Sequence, residues 1–432
     1  MQLNQDPHLD KRPPEQQQYG RELVAWALLP MMMGAIEGGV VGVLTIRLFD
    51  GIVESTLLGW AVASLTAAQG FANISSFLWA AVSHGKHKIR FITALKFVSV
   101  LLIASVTLVP RTPLGLGMLL FCVIGTRVCY TGIVTLRTTV WQANYPRINR
   151  TVVAGKIATV QALVLATVAF TVGQVMDVNE DAFRWIYPIA ASFGILGAWI
   201  YSKVQVKGHL KILSQERLTP QHVSILPWKT FHLLLEDTSF AKYMACQFVF
   251  GVGNLMLTAP LIIILNDSFD LDYLGQILVV TTIPILMIPI STPLWAKLLN
   301  NMHVLSFRSI HSWFFVVSSL IMALSIAWGS TTGLWIGAAV RGIGFGGGVL
   351  AWNLGHQDYA PVEQSGRYMG LHVTLTGIRG LIAPAIGIAL YSFLQHRGYS
   401  AGPIVFFIGA ALSAIGGIGF ILLAKARLRD TE

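Results

Sequence analysis

Four ionisable side chains, Glu37, Arg127, Arg341 and Arg379, stand near the middle of long apolar stretches. A charge at that depth in a membrane is expensive, so each needs a partner, a water-filled cavity or a function. Three guanidiniums against one carboxylate leave two positive charges over, and arginine does not discharge itself by losing a proton. Glu37 neutralises one of them, most simply Arg127. Arg341 and Arg379 have no carboxylate at their own depth. An anionic group on a bound solute would complete such a site, because a guanidinium holds carboxylate or phosphate through two parallel hydrogen bonds. The structural alternative is that Arg127 is a pin, tied to Glu37 or to carbonyls at a glycine-rich break in a helix. Glu37 is also the candidate proton carrier, since burial raises a carboxyl's pKa and a nearby arginine lowers it. His372, His311 and His356 are further candidates, imidazole titrating near neutrality.

The elements that hold these residues follow from composition. Of 432 residues, 54% are hydrophobic and 12% charged, against about 25% charged for a soluble domain. The charges fall in short bursts between apolar runs at 22–48, 55–80, 90–110, 114–137, 151–175, 184–204, 240–265, 273–297, 307–328, 332–355, 367–392 and 401–425. Roughly 20 to 25 residues cross about 30 Å of hydrocarbon as a helix. Lipid demands a backbone that satisfies its own hydrogen bonds, and the short alternating segments of a β-barrel are absent. Twelve membrane helices are therefore expected.

The net charge of +10 raises the possibility of a nucleic-acid partner, but its placement excludes that reading. With the N-terminus inside, cations such as Lys86, Lys88, Arg90, Lys207, Lys211, Arg217 and Arg308 gather in the inward loops. Acids such as Asp50, Asp177, Asp181 and Asp272 gather in the outward ones. This is the positive-inside pattern, and it predicts a multi-pass protein of a bacterial inner membrane with both ends cytoplasmic. Residues 1–20, polar and rich in Gln and Pro, read as a disordered tail without a cleavable leader. Lys96 is placed so close to a helix end that snorkelling to the inner surface is expected.

The chain also repeats itself. Leu58-Gly59 and Ser75-Ser76-Phe77-Leu78-Trp79-Ala80 return as Leu274-Gly275 and Ser291-Thr292-Pro293-Leu294-Trp295-Ala296 at a constant offset of 216. An offset of 217 aligns Gly34 with Gly251, Glu37 with Asn254 and Asp50 with Asp267. Arg127 meets Arg341 at 214, and Gln161 meets His372 at 211. Six helices per repeat give parallel repeats, related by an axis along the membrane normal. The expected units are 1–20 (tail), 21–204 (first six-helix bundle), 205–238 (central loop), 239–426 (second bundle) and 427–432 (tail).

In its six-plus-six helices, basic central loop and inward ends, the chain resembles the major facilitator superfamily of secondary transporters. Ser83-His84-Gly85-Lys86-His87-Lys88-Ile89-Arg90 keeps the glycine and basic cluster of that superfamily's loop between helices two and three, without its Asp. Arg127 with Thr131-Gly132 is similar to the fourth-helix pattern of many proton-coupled members. Gly380-Leu381-Ile382-Ala383-Pro384-Ala385-Ile386-Gly387 is similar to an antiporter motif, though on helix eleven rather than five. The resemblance implies that helices one, four, ten and eleven line a central cavity.

Glycine is dense where helices pack. Gly34, Gly38 and Gly42 form a four-residue ladder, a small-residue face for close helix contact. Gly342, Gly344, Gly346, Gly347 and Gly348 fit a dinucleotide-binding pattern, but no strand precedes them and the run is apolar, so packing or flexibility explains them better. Pro284, Pro289, Pro293 and Pro384 mark kinks. No phosphate-binding loop, metal-ligand spacing or cysteine framework is present, and no cofactor is expected.

The resulting expectation is an all-α integral membrane protein of two six-helix bundles. It is not an enzyme, and as a monomer it carries a small anionic or amphiphilic solute by alternating access with proton coupling. Candidate solute-binding residues are Arg127, Arg341, Arg379, Asn254 and Gln161, and Glu37 with His372 are the candidates for coupling. His356, Asp358, Lys86 and Arg90 are the candidates for a cytoplasmic gate. A transporter-like sensor, a drug or metabolite efflux pump, and an intramembrane enzyme built on His356 and Asp358 are the competing readings.

Overall fold

The computed structural model describes residues 14–145, 147–218, 231–269, 271–360 and 365–431. Positions 1–13 of the expected tail and positions 219–230 of the central loop lie outside them. Among the described residues there are no strands. Twelve helical spans are long and apolar enough to cross a membrane: α1 (Gln18–Phe49), α2 (Ser55–Ile74), α3 (Lys88–Leu108), α4 (Pro113–Trp141), α5 (Lys156–Val178), α6 (Glu180–Ser202), α7 (Thr238–Ser268), α8 (Tyr273–Asn300), α9 (Val304–Trp328), α10 (Thr331–Asp358), α11 (Tyr368–His396) and α12 (Ala401–Arg429). An even number of spans returns the chain to the side it starts from. We call that side the tail side, and the opposite one the far side.

The packing partners repeat with the sequence. In the first half α1 lies on α5 and α6, α3 on α4 and α6, and α2 on α4. In the second half α7 lies on α11 and α12, α9 on α10 and α12, and α8 on α10. The halves meet through α2 on α11 and α5 on α8, two contacts that the same two-fold axis exchanges. Small residues permit the first: a Cβ on Gly70 would fall 2.6 Å from the carbonyl carbon of Gly380. On the far side Asp177 of α5 accepts from the Tyr273 and Leu274 N–H groups at the start of α8, at 2.6 and 3.1 Å. A carboxylate suits a helix N-terminus, where N–H groups lack partners within the helix. Arg47 adds a bond across the halves to the Leu271 carbonyl.

Several helices are irregular where the halves face each other. The first span consists of Pro14–Gly34 and Gly38–Phe49, and the seventh of Thr238–Leu255 and Thr258–Ser268. Before Pro284, α8 widens into a π-helical stretch at Leu278–Thr282. Proline has no N–H and its ring crowds the carbonyl four residues back, which the wider turn accommodates. Pro289, Pro293 and Pro384 lie inside helices that run on through them.

Three local expectations change. Gly34 does not share a face with Gly38 and Gly42, because the break after it reorients the chain: Gly34 meets Val168 on α5, while Gly38 and Gly42 meet Thr66 and Val62 on α2, and Gly42 also meets Ile262 on α7. Lys96 does not reach the surface. It is 1% exposed, with its ammonium 4.0 Å from the centre of the Tyr201 ring and 5.4 Å from that of Trp26. Glu22 is also fully buried in the first bundle, its Oε2 accepting from Tyr145 at 3.0 Å, and Arg137 lies over Trp26 and Trp141. Arg308, assigned by sequence to an inward loop, is 2% exposed inside α9 beside His311. The glycine row of α10 remains helical over Thr331–Leu354 and serves packing, Gly342 against Pro284 and Gly344 against Phe315.

Candidate functional site: a charged cavity between the halves

The breaks in α1 and α7 release backbone carbonyls, and an arginine from the fourth helix of each half uses one. Arg127 donates to the Ile36 carbonyl at 2.8 Å, and Arg341 to the Asn254 carbonyl at 3.2 Å. A carbonyl at a helix break has no intrahelical donor and needs one from elsewhere in a membrane. The two arginines then diverge. Arg127 also donates to Glu37 Oε2 at 2.9 Å and to Gln69 Oε1 at 3.3 Å, and Gln69 Nε2 donates to Asn73 at 2.8 Å. Arg341 donates to the Thr258 hydroxyl at 2.9 Å and lies 5.5 Å from the centre of the Phe345 ring. All three of these groups around Arg341 are neutral.

Both sets border one cavity of about 300 Å³ between the halves. Glu37, Thr66, Gln69 and Asn73 form the first-half wall. Thr258, Thr281, Arg341, Phe345 and Thr376 form the second-half wall. Hydroxyls, amides, one carboxylate and one guanidinium converge on a space the size of a small polar molecule. Glu37 faces it with a side chain 33% exposed, while Arg127 behind it is 8% exposed.

The other sequence candidates are dispersed. Asn254 contributes its carbonyl, but its side chain turns back to the Phe250 carbonyl at 3.2 Å. Gln161 is half-buried on α5 and does not border the cavity. Arg379 points to α7, donating to the Gln247 carbonyl at 2.7 Å in the space left by Gly251. Helix phase explains this: Thr376, Gly380 and Pro384 border the cavity, and Arg379 stands about 100° round the helix from Gly380, the middle of that row. His372 is fully buried near Trp352, with ring centres 6.0 Å apart, and away from the cavity. His311 sits 2.7 Å from the Gly344 carbonyl.

The gate candidates fall into separate networks. Asp358 accepts from the Val304 N–H at 2.7 Å, capping α9 within its own half, and His356 beside it is buried. Lys86 lies 5.4 Å from the centre of the Phe91 ring, and Arg90 is exposed. Their neighbour Lys88 pairs at 2.8 Å with Glu216 of a linker helix, His209–Leu218. Glu216 also accepts from the Gly85 N–H at 2.9 Å, and the rings of His87 and His209 touch with centres 4.0 Å apart. Burial raises the Glu216 pKa, but the Lys88 and Gly85 hydrogen bonds and the Lys88 charge outweigh it and hold the carboxyl below its ordinary value. Burial, with the His209 and Arg90 charges, lowers that of His87.

Sequence reasoning missed Thr258, Gln69 and Asn73. Polar residues in spans are common, and only the break in α7 and the phase of α2 bring these three to the cavity.

Paired broken helices, arginine-braced breaks and a polar cavity between two six-helix halves define a multi-pass membrane protein with a transporter fold. A family model for the Major Facilitator Superfamily matches residues 23–384, and the chain belongs to that family. Among curated proteins, the MFS-type transporter TwmF of Talaromyces wortmannii is 27% identical over 109 residues, 25% of this chain and 18% of that one. The chain thus spans less than a fifth of that relative's length. The fold is similar to the nucleoside transporter NupG in its D323A form, at TM-score 0.74 and 11% identity over 94% of this chain and 99% of that one. A D-xylose–proton symporter gives TM-score 0.72 at 12% identity over 94% and 96%.

Proposed function

We propose that the protein is a secondary transporter that binds a small anionic solute at Arg341 in the cavity between its halves. The observation that carries this reading is the contrast between the two arginines. Arg127 has a carboxylate at 2.9 Å, while Arg341, 7% exposed, has among the described residues a carbonyl, a hydroxyl and a ring face but no paired carboxylate. A buried guanidinium without an acid favours a ligand that brings one. Bonds between the halves on the far side fit a state closed there, and rocking about the cavity would open it. Glu37 is the proton-coupling group: protonation would loosen its hold on Arg127 and change the charge of the cavity wall. Both chain ends face the cytoplasm of a bacterial cell, and the monomer is the working unit.

A ligand-stabilisation screen on the purified protein tests this, run in parallel on wild type and Arg341→Gln. Carboxylate and phosphate solutes should raise the melting temperature of the wild type and not of the variant. Anionic hits that stabilise both equally would remove Arg341 from the site.

A further inference from the structure

A second cavity, of about 270 Å³, opens at the tail-side ends of α7, α9 and α12. Lys242, His303 and Arg427 bring basic side chains to it, Ser239 and Tyr359 bring hydroxyls, and Leu305 and Leu423 bring apolar surface. Asp358 also borders it, but its Oδ2 is held by the Val304 N–H at 2.7 Å and lies 3.8 Å from His303 Nε2. Lys242 and Arg427 against the single carboxylate of Asp358 leave the lining with a positive charge over, which favours an anion. Its level follows from helix length: α12 starts at Ala401, and Arg427 stands close to its other end. The rise between the two is about 39 Å, against about 30 Å of hydrocarbon, so the guanidinium lies among lipid headgroups. Toward the bilayer centre, Leu422, Ile418 and Ile415 are 62%, 48% and 58% exposed at spacings of four and three, a continuous apolar track on α12.

We propose that this cavity binds the phosphate of an anionic phospholipid from the tail-side leaflet, with the acyl chains lying along the exposed face of α12. Basic groups at headgroup level supply the charge complement. The apolar track argues for a lipid over free phosphate, which has no use for it. This site is separate from the solute cavity and does not depend on Arg341 or Glu37.

The test measures phosphatidylglycerol retained by the purified full chain, by native mass spectrometry, together with the melting temperature on adding phosphatidylglycerol, phosphatidylcholine or inorganic phosphate. Wild type should retain phosphatidylglycerol and be stabilised by it, with little response to the other two. Lys242→Gln/Arg427→Gln should weaken retention about 30-fold, from roughly 1 kcal/mol per basic residue near the surface. Lys297→Gln, which removes a tail-side cation outside the cavity, should leave retention unchanged. If the double variant is unstable, Lys242→Gln alone, which alters an exposed side chain, should still lower retention about fivefold. Equal retention by wild type and these variants would overturn the proposal. So would equal stabilisation by phosphatidylcholine, and a full response to inorganic phosphate would overturn the lipid assignment.

Discussion

The two halves solve one structural problem and then part. Each breaks its first helix near mid-membrane and braces the break with an arginine from its fourth helix, Arg127 on Ile36 and Arg341 on Asn254. The first half adds Glu37 and closes the charge internally, while the second puts Thr258 beside its guanidinium. The brace is thus the architecture common to the repeats. Among the described residues no acid pairs with Arg341, and the second-half wall of the cavity carries its charge.

Breaking each arginine should expose the difference most clearly. Arg127→Gln strands Glu37, so it should cost about 3 kcal/mol, the low end for half of a buried pair because the Glu37 side chain is 33% exposed. Arg341→Gln removes an acid-free buried charge along with its hydrogen bonds, and should change the stability of the unliganded protein by less than about 1 kcal/mol. Chemical denaturation of both variants in detergent checks this, and comparable losses would erase the contrast. Supplying the missing acid should then make the halves alike. Thr258→Asp places a carboxylate beside Arg341 and should weaken binding of anionic ligands by about 30-fold, roughly 2 kcal/mol, read by titration calorimetry.

A smaller effect is expected where the halves are latched. Asp177→Ala removes the carboxylate that holds the first N–H groups of α8, a loss of about 1 kcal/mol, or roughly fivefold in favour of far-side opening. Spin-label distances between the far ends of α5 and α8 would report a longer population. The smallest effect concerns the linker helix, which docks on Gly85, His87 and Lys88 of the first half. His87 binds a proton less readily when docked, so docking weakens as pH falls below about 6.5. Glu216, held below its ordinary value of 4.5, withdraws its contribution further down, as pH falls through its lowered docked value. Hydrogen exchange across 209–218 should therefore be less protected at pH 5.5 than at pH 7.5, after correction for intrinsic rates. Unchanged protection would show that the paired histidines carry no weight.

Much of this was legible in the chain because the membrane imposes simple rules. Run length fixes the spans, and the drifting offset reveals the repeat before any contact is known. The depths of Arg127, Arg341 and Glu37 mark them out. Depth alone, however, does not say which way a side chain points. Arg379 stands beside Gly380 of the cavity lining but faces α7, and Gln161 does not border the cavity, since helix phase and local breaks decide orientation. Charges near the ends of runs were misread for a related reason. Lys96, expected to snorkel to the surface, and Arg308, assigned to an inward loop, are both buried. The π-helical stretch of α8 was likewise announced only by Pro284, whose response depends on its neighbours.

The cationic wall is tested most directly by counterflow into proteoliposomes, using the tightest-binding anion from the ligand screen. Wild type should exchange it across the bilayer, and Arg341→Gln, folded and inserted to the same extent, should fall to the level of protein-free liposomes. Undiminished counterflow by that variant would contradict the account.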